Sequence, residues 1–237
     1  MEKANEVLMF GWCDNGTTDG LFTSHLVATT LYASTLGVDG IGYIQTIGNQ
    51  IARQRGDLLR DFENSNGDWL LWIDSDIVLN QEAFELLWKN RDAEKRPVVC
   101  GVYYVTMEMN QPLPMPIPCI FTNAENGEHS PVHPLPEKQL IPIDVAGLGF
   151  CLMHKSVAHK LRETYGNTTF EITIGDNHVS EDVSFFRKLK ALGIPVYAHT
   201  GALVQHIKRF VFDHNYYNLW WNAVAPVRAE AEANKEK

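Results

Sequence analysis

The sequence lacks an apolar run near the ~18–20 residues needed to cross a bilayer. Its strongest run, residues 69–73 (Trp-Leu-Leu-Trp-Ile), is cut by Asp74. Positive charge is also scarce: 20 Lys and Arg against 29 Asp and Glu leave a net charge of −9, which argues against a broad nucleic-acid-binding surface. Cysteine is limited to Cys13, Cys100, Cys119 and Cys151, with no CxxC pair. Zinc-finger spacing is therefore excluded, and the four read as reduced core residues. The first residues lack the basic-then-apolar pattern of a signal peptide, so a cytoplasmic chain without a membrane span is expected. There is no GxGxxG, no Walker lysine and no internal repeat, so dinucleotide and P-loop readings both fail.

What is present is globular: 45% hydrophobic and 21% charged residues over 237 positions, enough to build one large α/β core without disulfide or metal staples. Residues 6–12 read as a buried strand, and Asp19 as the N-cap of a helix reaching residue 36, with Leu21, Phe22, His25, Leu26 and Thr29 on one side. A short strand (40–46), a helix (49–64), the apolar strand 69–73, a helix (81–90) and a strand (98–105) follow. This alternation predicts an α/β sheet with crossover helices. Eight of the eleven prolines then fall within residues 112–142, which excludes a helix or central strand and predicts a long irregular loop. A glycine-marked strand (144–153), a helix (156–165), a helix capped by Ser180 and stopped by Gly193, and two short strands (194–198 and 202–207) complete the domain. Residues 1–212 are expected to form that domain. Residues 213–237 are expected to be a polar C-terminal extension with a frayed end.

Asp74-Ser75-Asp76 closes the apolar strand. In extended geometry positions i and i+2 face one side, so the two carboxylates are expected to share a cation or a proton. Their hard oxygens suit Mg²⁺ or Mn²⁺, at the strand end where open α/β sheets bind ligands; the bland reading is a solvated turn. Arg55 falls between Ile51 and Leu58 on the apolar side of its helix, where a guanidinium needs an anion or an ion pair with Asp57, Asp61 or Asp74. Glu181 and Asp182 follow the cap Ser180; they either complement the helix dipole or supply a rigid general base. His206 sits on a strand-like segment with Val204 and Lys208 on its face. Gly147 and Gly149 mark a bulge or a close approach of a ligand to the backbone.

Taken in order, the first strand, the inward arginine, the apolar strand with DxD, the glycine strand, the Glu181-Asp182 helix and the late Val-Gln-His-Ile resemble the GT-A glycosyltransferases. The likeness covers roughly residues 6–210 and is nearest the small, single-domain, family-2-like enzymes of bacteria and phages. It implies a GT-A-like (Rossmann-like) α/β fold with a mixed, mainly parallel central sheet flanked by helices. It further implies a non-processive hexosyltransferase that uses a UDP- or GDP-linked sugar and Mn²⁺ or Mg²⁺, inverting if Asp182 is the base, although retaining GT-A enzymes share the DxD and the late histidine. Carried over by position, Asp74 lies by the nucleotide, Asp76 and His206 (with Asp74) hold the metal, and Arg55 lies near the nucleotide. Asp182 is the base, with Glu181 beside it, and Gly147 and Gly149 line the donor and acceptor. The acceptor (protein, glycan, DNA base or small molecule) is not specified. The absence of QxxRW after His206 disfavours a processive synthase. Two alternatives stand beside this reading. One is a nucleotidyltransferase of related fold, disfavoured by the acidic segment after the first strand. The other is an inactive carbohydrate-binding or virion-associated protein.

Overall fold

A computed structural model gives the fold, describing residues 6–106, 116–123, 129–174, 179–209 and 213–227. The chain opens with β1 (Val7–Asp14), α1 (Gly20–Thr35), β2 (Gly40–Ile47), α2 (Ile51–Asn64) and β3 (Trp69–Asp74). Next come β4 (Ile77–Val78), α3 (Gln81–Asn90), β5 (Val98–Val102) and β6 (Tyr104–Thr106). Four short strands follow: β7 (Pro116–Pro118), β8 (Ile120–Asn123), β9 (His129–Pro131) and β10 (Leu140–Pro142). The chain then runs through β11 (Val145–Ala146), β12 (Phe150–His154), α4 (Lys155–Tyr165), α5 (Glu181–Ala191), β13 (Val196–Leu203), β14 (Gln205–His206) and α6 (His214–Ala223).

Seven strands make the main sheet in the order β10-β13-β5-β12-β3-β1-β2. The pairs β1–β2, β1–β3 and β13–β5 are parallel. Strand β12 enters antiparallel between β3 and β5, and β10 closes one edge antiparallel to β13. The central strands carry apolar side chains on both faces because both faces are covered. Trp69, Leu71 and Ile73 pack with α1 and α3 residues such as Phe22, Leu26 and Phe84. Leu70 and Trp72 pack on the other side with Leu58 and Phe62 of α2 and Leu161 and Phe185 of α4 and α5. Helix α1 turns Phe22, Leu26, Thr29 and Ala33 inward while Leu21 is 55% exposed and His25 is exposed, so the expected inward face is rotated by part of a turn.

By contacts the chain divides into two compact units, Met1–Val105 with Pro118–Ile207, and Thr106–Ile117 with Lys208–Lys237. The first holds the main sheet. In the second, α6 is capped by Asp213, whose carboxylate accepts from the Tyr216 N–H at 2.8 Å. No helix among the described residues is long and apolar enough to cross a membrane.

Three local expectations are corrected. The glycine-marked segment is two strands, β11 and β12, because residues 148–149 turn between them. The final strands are one strand, β13, irregular between Ala198 and Leu203, followed by the two-residue β14. The proline-rich stretch is less irregular than its composition predicts. Prolines are tolerated at strand ends and on edges, and β7, β9 and β10 carry them at their ends, β10 ending on Pro142 at the sheet edge. Of that expected loop, residues 112–115 and 124–128 lie outside the described residues, as do 228–237 of the expected tail.

Candidate active site

Strands β2 and β3 flank β1, so chain direction across the sheet reverses at β1, with α1 and α2 on opposite faces. Open α/β sheets bind ligands outside the carboxyl ends of the strands at such a point. Here that edge carries Asp14 at the end of β1 and Asp74 at the end of β3. Asp14, which sequence reasoning did not single out, is only 7% exposed. Its carboxylate accepts from Trp12 Nε1 (2.8 Å), Gln45 Nε2 (2.6 Å) and the Gly16 N–H (2.7 Å). Gln54 donates to the carbonyls of Asp14 and Thr46 at 2.8 and 3.0 Å, which anchors the first turn of α2 to these strand ends.

The residue after that glutamine is Arg55, whose side chain is 4% exposed. The guanidinium binds three carboxylates: Nη2 donates to Asp74 Oδ1 at 2.9 Å, Nη1 to Glu181 Oε1 at 3.0 Å, and Nη1 also to Asp182 Oδ1. Burial works against the charged form, but Asp74 and Glu181 outweigh it and hold the guanidinium above its ordinary pKa. Glu181 and Asp182 open α5 behind Ser180, whose hydroxyl accepts from the Val183 N–H. Of the ion pairs weighed for Arg55, the one with Asp74 forms. Asp57 instead accepts from Arg60 at 2.6 Å on the surface.

Asp74 and Asp76 do not behave as an extended pair. Asp74 ends β3 and residues 75–76 turn, so the alternation rule for strands does not apply, and each carboxylate meets its own partner. That of Asp76 lies 3.1 Å from His206 Nε2, through the antiparallel pairing of β14 with β4. His206 Nδ1 is 2.9 Å from the Tyr104 carbonyl oxygen, which can only accept. Nδ1 therefore carries the proton, and in neutral imidazole Nε2 then presents a lone pair to a carboxylate. Two acceptors facing each other at this distance require a proton or a cation between them.

The glycines hold a further side chain that sequence reasoning missed. Tyr103, 4% exposed, follows β5. A Cβ on Gly147 would lie 1.8 Å from its hydroxyl oxygen, and one on Gly149 would lie 3.0 Å from it and 2.8 Å from Asp74 Oδ2. Burial, then Cys119 and Asp74, push the Tyr103 phenol well above its ordinary value. All four cysteines are free, and Cys100 and Cys151 face each other across β5 and β12 at 3.5 Å between sulfurs. Among the described residues, no three His, Cys, Asp or Glu side chains converge as metal ligands.

The sheet, its covering helices and the acidic strand ends define a GT-A-like glycosyltransferase fold. No family model matches the chain, and no curated protein matches it in sequence. Among solved structures it is similar to A197 from STIV, at 20% identity and a TM-score of 0.54, over 85% of this chain and 86% of that one. It is also similar to GalNAc-T7 solved with UDP, GalNAc and Mn²⁺, at 10% identity and a TM-score of 0.51, over 93% of this chain. The aligned part is 48% of the GalNAc-T7 chain, so this protein spans about half its length. At these identities the likeness is one of fold.

Proposed function

We propose that the protein is a metal-dependent glycosyltransferase that moves a sugar from a nucleotide-diphosphate donor to an acceptor hydroxyl with inversion. The observation that carries this reading is the opposition of Asp76 and His206 across 3.1 Å with Nδ1 already bonded to a carbonyl. Divalent Mn²⁺ or Mg²⁺ fits there. Such ions take carboxylate and imidazole ligands, keep several waters, and use few protein groups when a diphosphate supplies the rest. Asp76 and His206 are the proposed protein ligands. Asp74 is engaged by Arg55 and helps hold the neighbouring carboxylates rather than the ion. When bound, the cation neutralises charge developing on the departing diphosphate.

The remaining steps belong to the chain itself. Asp182, with its side chain 22% exposed, stands at the first turn of α5, open enough to reach a ligand and fixed enough to be oriented. It removes the acceptor hydroxyl's proton as that oxygen attacks the anomeric carbon and the bond to the diphosphate breaks. Glu181 supports it through their shared bond to Arg55. The GalNAc-T7 neighbour, solved with UDP and Mn²⁺, supports the donor and metal classes.

The test is titration calorimetry of UDP and of GDP with and without Mn²⁺. Wild type is expected to bind one of them only with the metal, and Asp76→Ala to lose that binding. Unchanged metal-dependent affinity in Asp76→Ala removes the proposal.

A further inference from the structure

The glycines of the Val-Ala-Gly-Leu-Gly-Phe segment are the ones expected to admit a ligand to the backbone, yet the space beside them is filled from within. We infer that Tyr103 is a positioning residue for His206, and that Gly147 and Gly149 are glycines because they seat the Tyr103 ring and hydroxyl. The inference rests on the proposed role of His206 as a metal ligand.

Two constraints on the His206 imidazole come from adjacent residues. The Tyr103 ring meets it edge to face, with centroids 5.1 Å apart and planes at 83°, within the range where such aromatic pairs are favourable. The next carbonyl, that of Tyr104, bonds Nδ1. Together they fix both the position of the ring and its tautomer, which leaves Nε2 directed at Asp76. An outer group that orients a ligating histidine in this way commonly sets metal affinity.

Tyr103 is itself anchored on the glycine side. Its hydroxyl accepts from the Gly149 N–H at 3.3 Å, and its carbonyl accepts from the Cys119 N–H at 2.8 Å. The Gly149 carbonyl in turn accepts from the Asp74 N–H at 3.2 Å. A continuous run of contacts thus joins His206, Tyr103, Gly149 and Asp74. An alanine at Gly147 cannot coexist with this placement, because its Cβ would overlap the phenol oxygen at 1.8 Å. Room for the hydroxyl therefore explains Gly147 without a ligand.

The experiment measures protein-bound Mn²⁺ by electron paramagnetic resonance with UDP or GDP present, against nucleotide alone, alongside thermal unfolding of the metal-free protein. Tyr103→Phe keeps the ring and should bind Mn²⁺ within about threefold of wild type. Tyr103→Leu removes the ring from His206 and should bind it roughly 10–100-fold more weakly, the usual effect of losing a group that orients a metal ligand. If Tyr103→Leu does not fold, Gly147→Ala displaces the same ring from the opposite side and should weaken Mn²⁺ binding similarly. A ring that only fills the core would lower the melting temperature in these variants and leave Mn²⁺ affinity at the wild-type value. That result overturns the inference while the glycosyltransferase reading stands. Wild type that binds no Mn²⁺ overturns both.

Discussion

Replacing Arg55 with glutamine removes the guanidinium shared by Asp74, Glu181 and Asp182. Its side chain is 4% exposed, and the three carboxylates are 30%, 14% and 22% exposed. Breaking a buried ion pair from one side costs about 3–5 kcal/mol, because the remaining charge stays in a poor solvent. Here three carboxylates remain, but water reaches each of them in part, which moves the expected cost to the lower end, about 3 kcal/mol. For a domain of this size that corresponds to a fall in melting temperature of roughly 6–12 °C. Arg55→Lys restores the charge but not the planar fork that serves separate carboxylates, so it should recover only part of the loss. Thermal unfolding followed by circular dichroism at pH 7 reads both variants. A glutamine variant within about 1 kcal/mol of wild type, or a lysine variant as stable as wild type, would refute the reasoning.

Asp182→Asn should bind nucleotide and Mn²⁺ as wild type does yet transfer sugar ~10²–10⁴-fold more slowly; near-normal turnover, or an NMR spectrum showing a product of retained configuration, removes Asp182 as the base. His154 has a pKa depressed below the ordinary imidazole value of 6.5, mainly by burial, and its ring nitrogen caps α4. A depressed pKa contributes stability that is present above the unfolded value and lost as pH falls below it, so urea unfolding should show a decline below about pH 6.5 that His154→Asn, which can still cap, flattens. An unchanged slope in that variant assigns the decline elsewhere. Gly101→Ala places a Cβ 2.1 Å from the Phe150 ring and 2.9 Å from the Ala202 carbonyl oxygen, and should destabilise by at least the ~1–3 kcal/mol usual for overpacking; a neutral result by chemical denaturation would show that β5 and β12 yield there.

The parts of the site legible in the sequence were those with a local signature. Arg55 betrayed itself by its spacing from Ile51 and Leu58, because a helix of period 3.6 puts those three on one side, and α2 buries it there. Ser180 announced α5 by its place before two acids and an apolar period, and its hydroxyl does cap the helix. Tyr103 carried no such mark. It stands among apolar strand residues, and its contacts, Gly149 and His206, are 46 and 103 residues away in sequence, the second by the difference of their numbers. Asp14 had half a signal, since Trp12 at i−2 is one of its donors, but Gln45 comes from the neighbouring strand. The two aspartates of DxD were misjudged for a different reason. Alternation holds only while the backbone stays extended, and the chain turns at residues 75–76.

That turn separates two tasks that the tripeptide places side by side in sequence. Asp74 points its Oδ1 at a buried guanidinium, so much of its charge is answered within the protein. Asp76, 41% exposed at the side chain, faces the Nε2 of an imidazole whose other nitrogen is bonded to the Tyr104 carbonyl. Three carboxylates and one guanidinium leave a formal excess of two negative charges around Arg55. An anionic diphosphate approaching this edge unaided meets repulsion of about 4 kcal/mol per close charge pair at an effective dielectric of 20. A divalent cation held, on the proposed reading, by Asp76 and His206, apart from the carboxylates that Arg55 engages, reverses the local field where the diphosphate arrives. On the proposed reading Arg55 therefore acts on two fronts: it prevents the acidic cluster from pushing α5 away from β3, and it keeps Asp74 from competing with Asp76 for the ion.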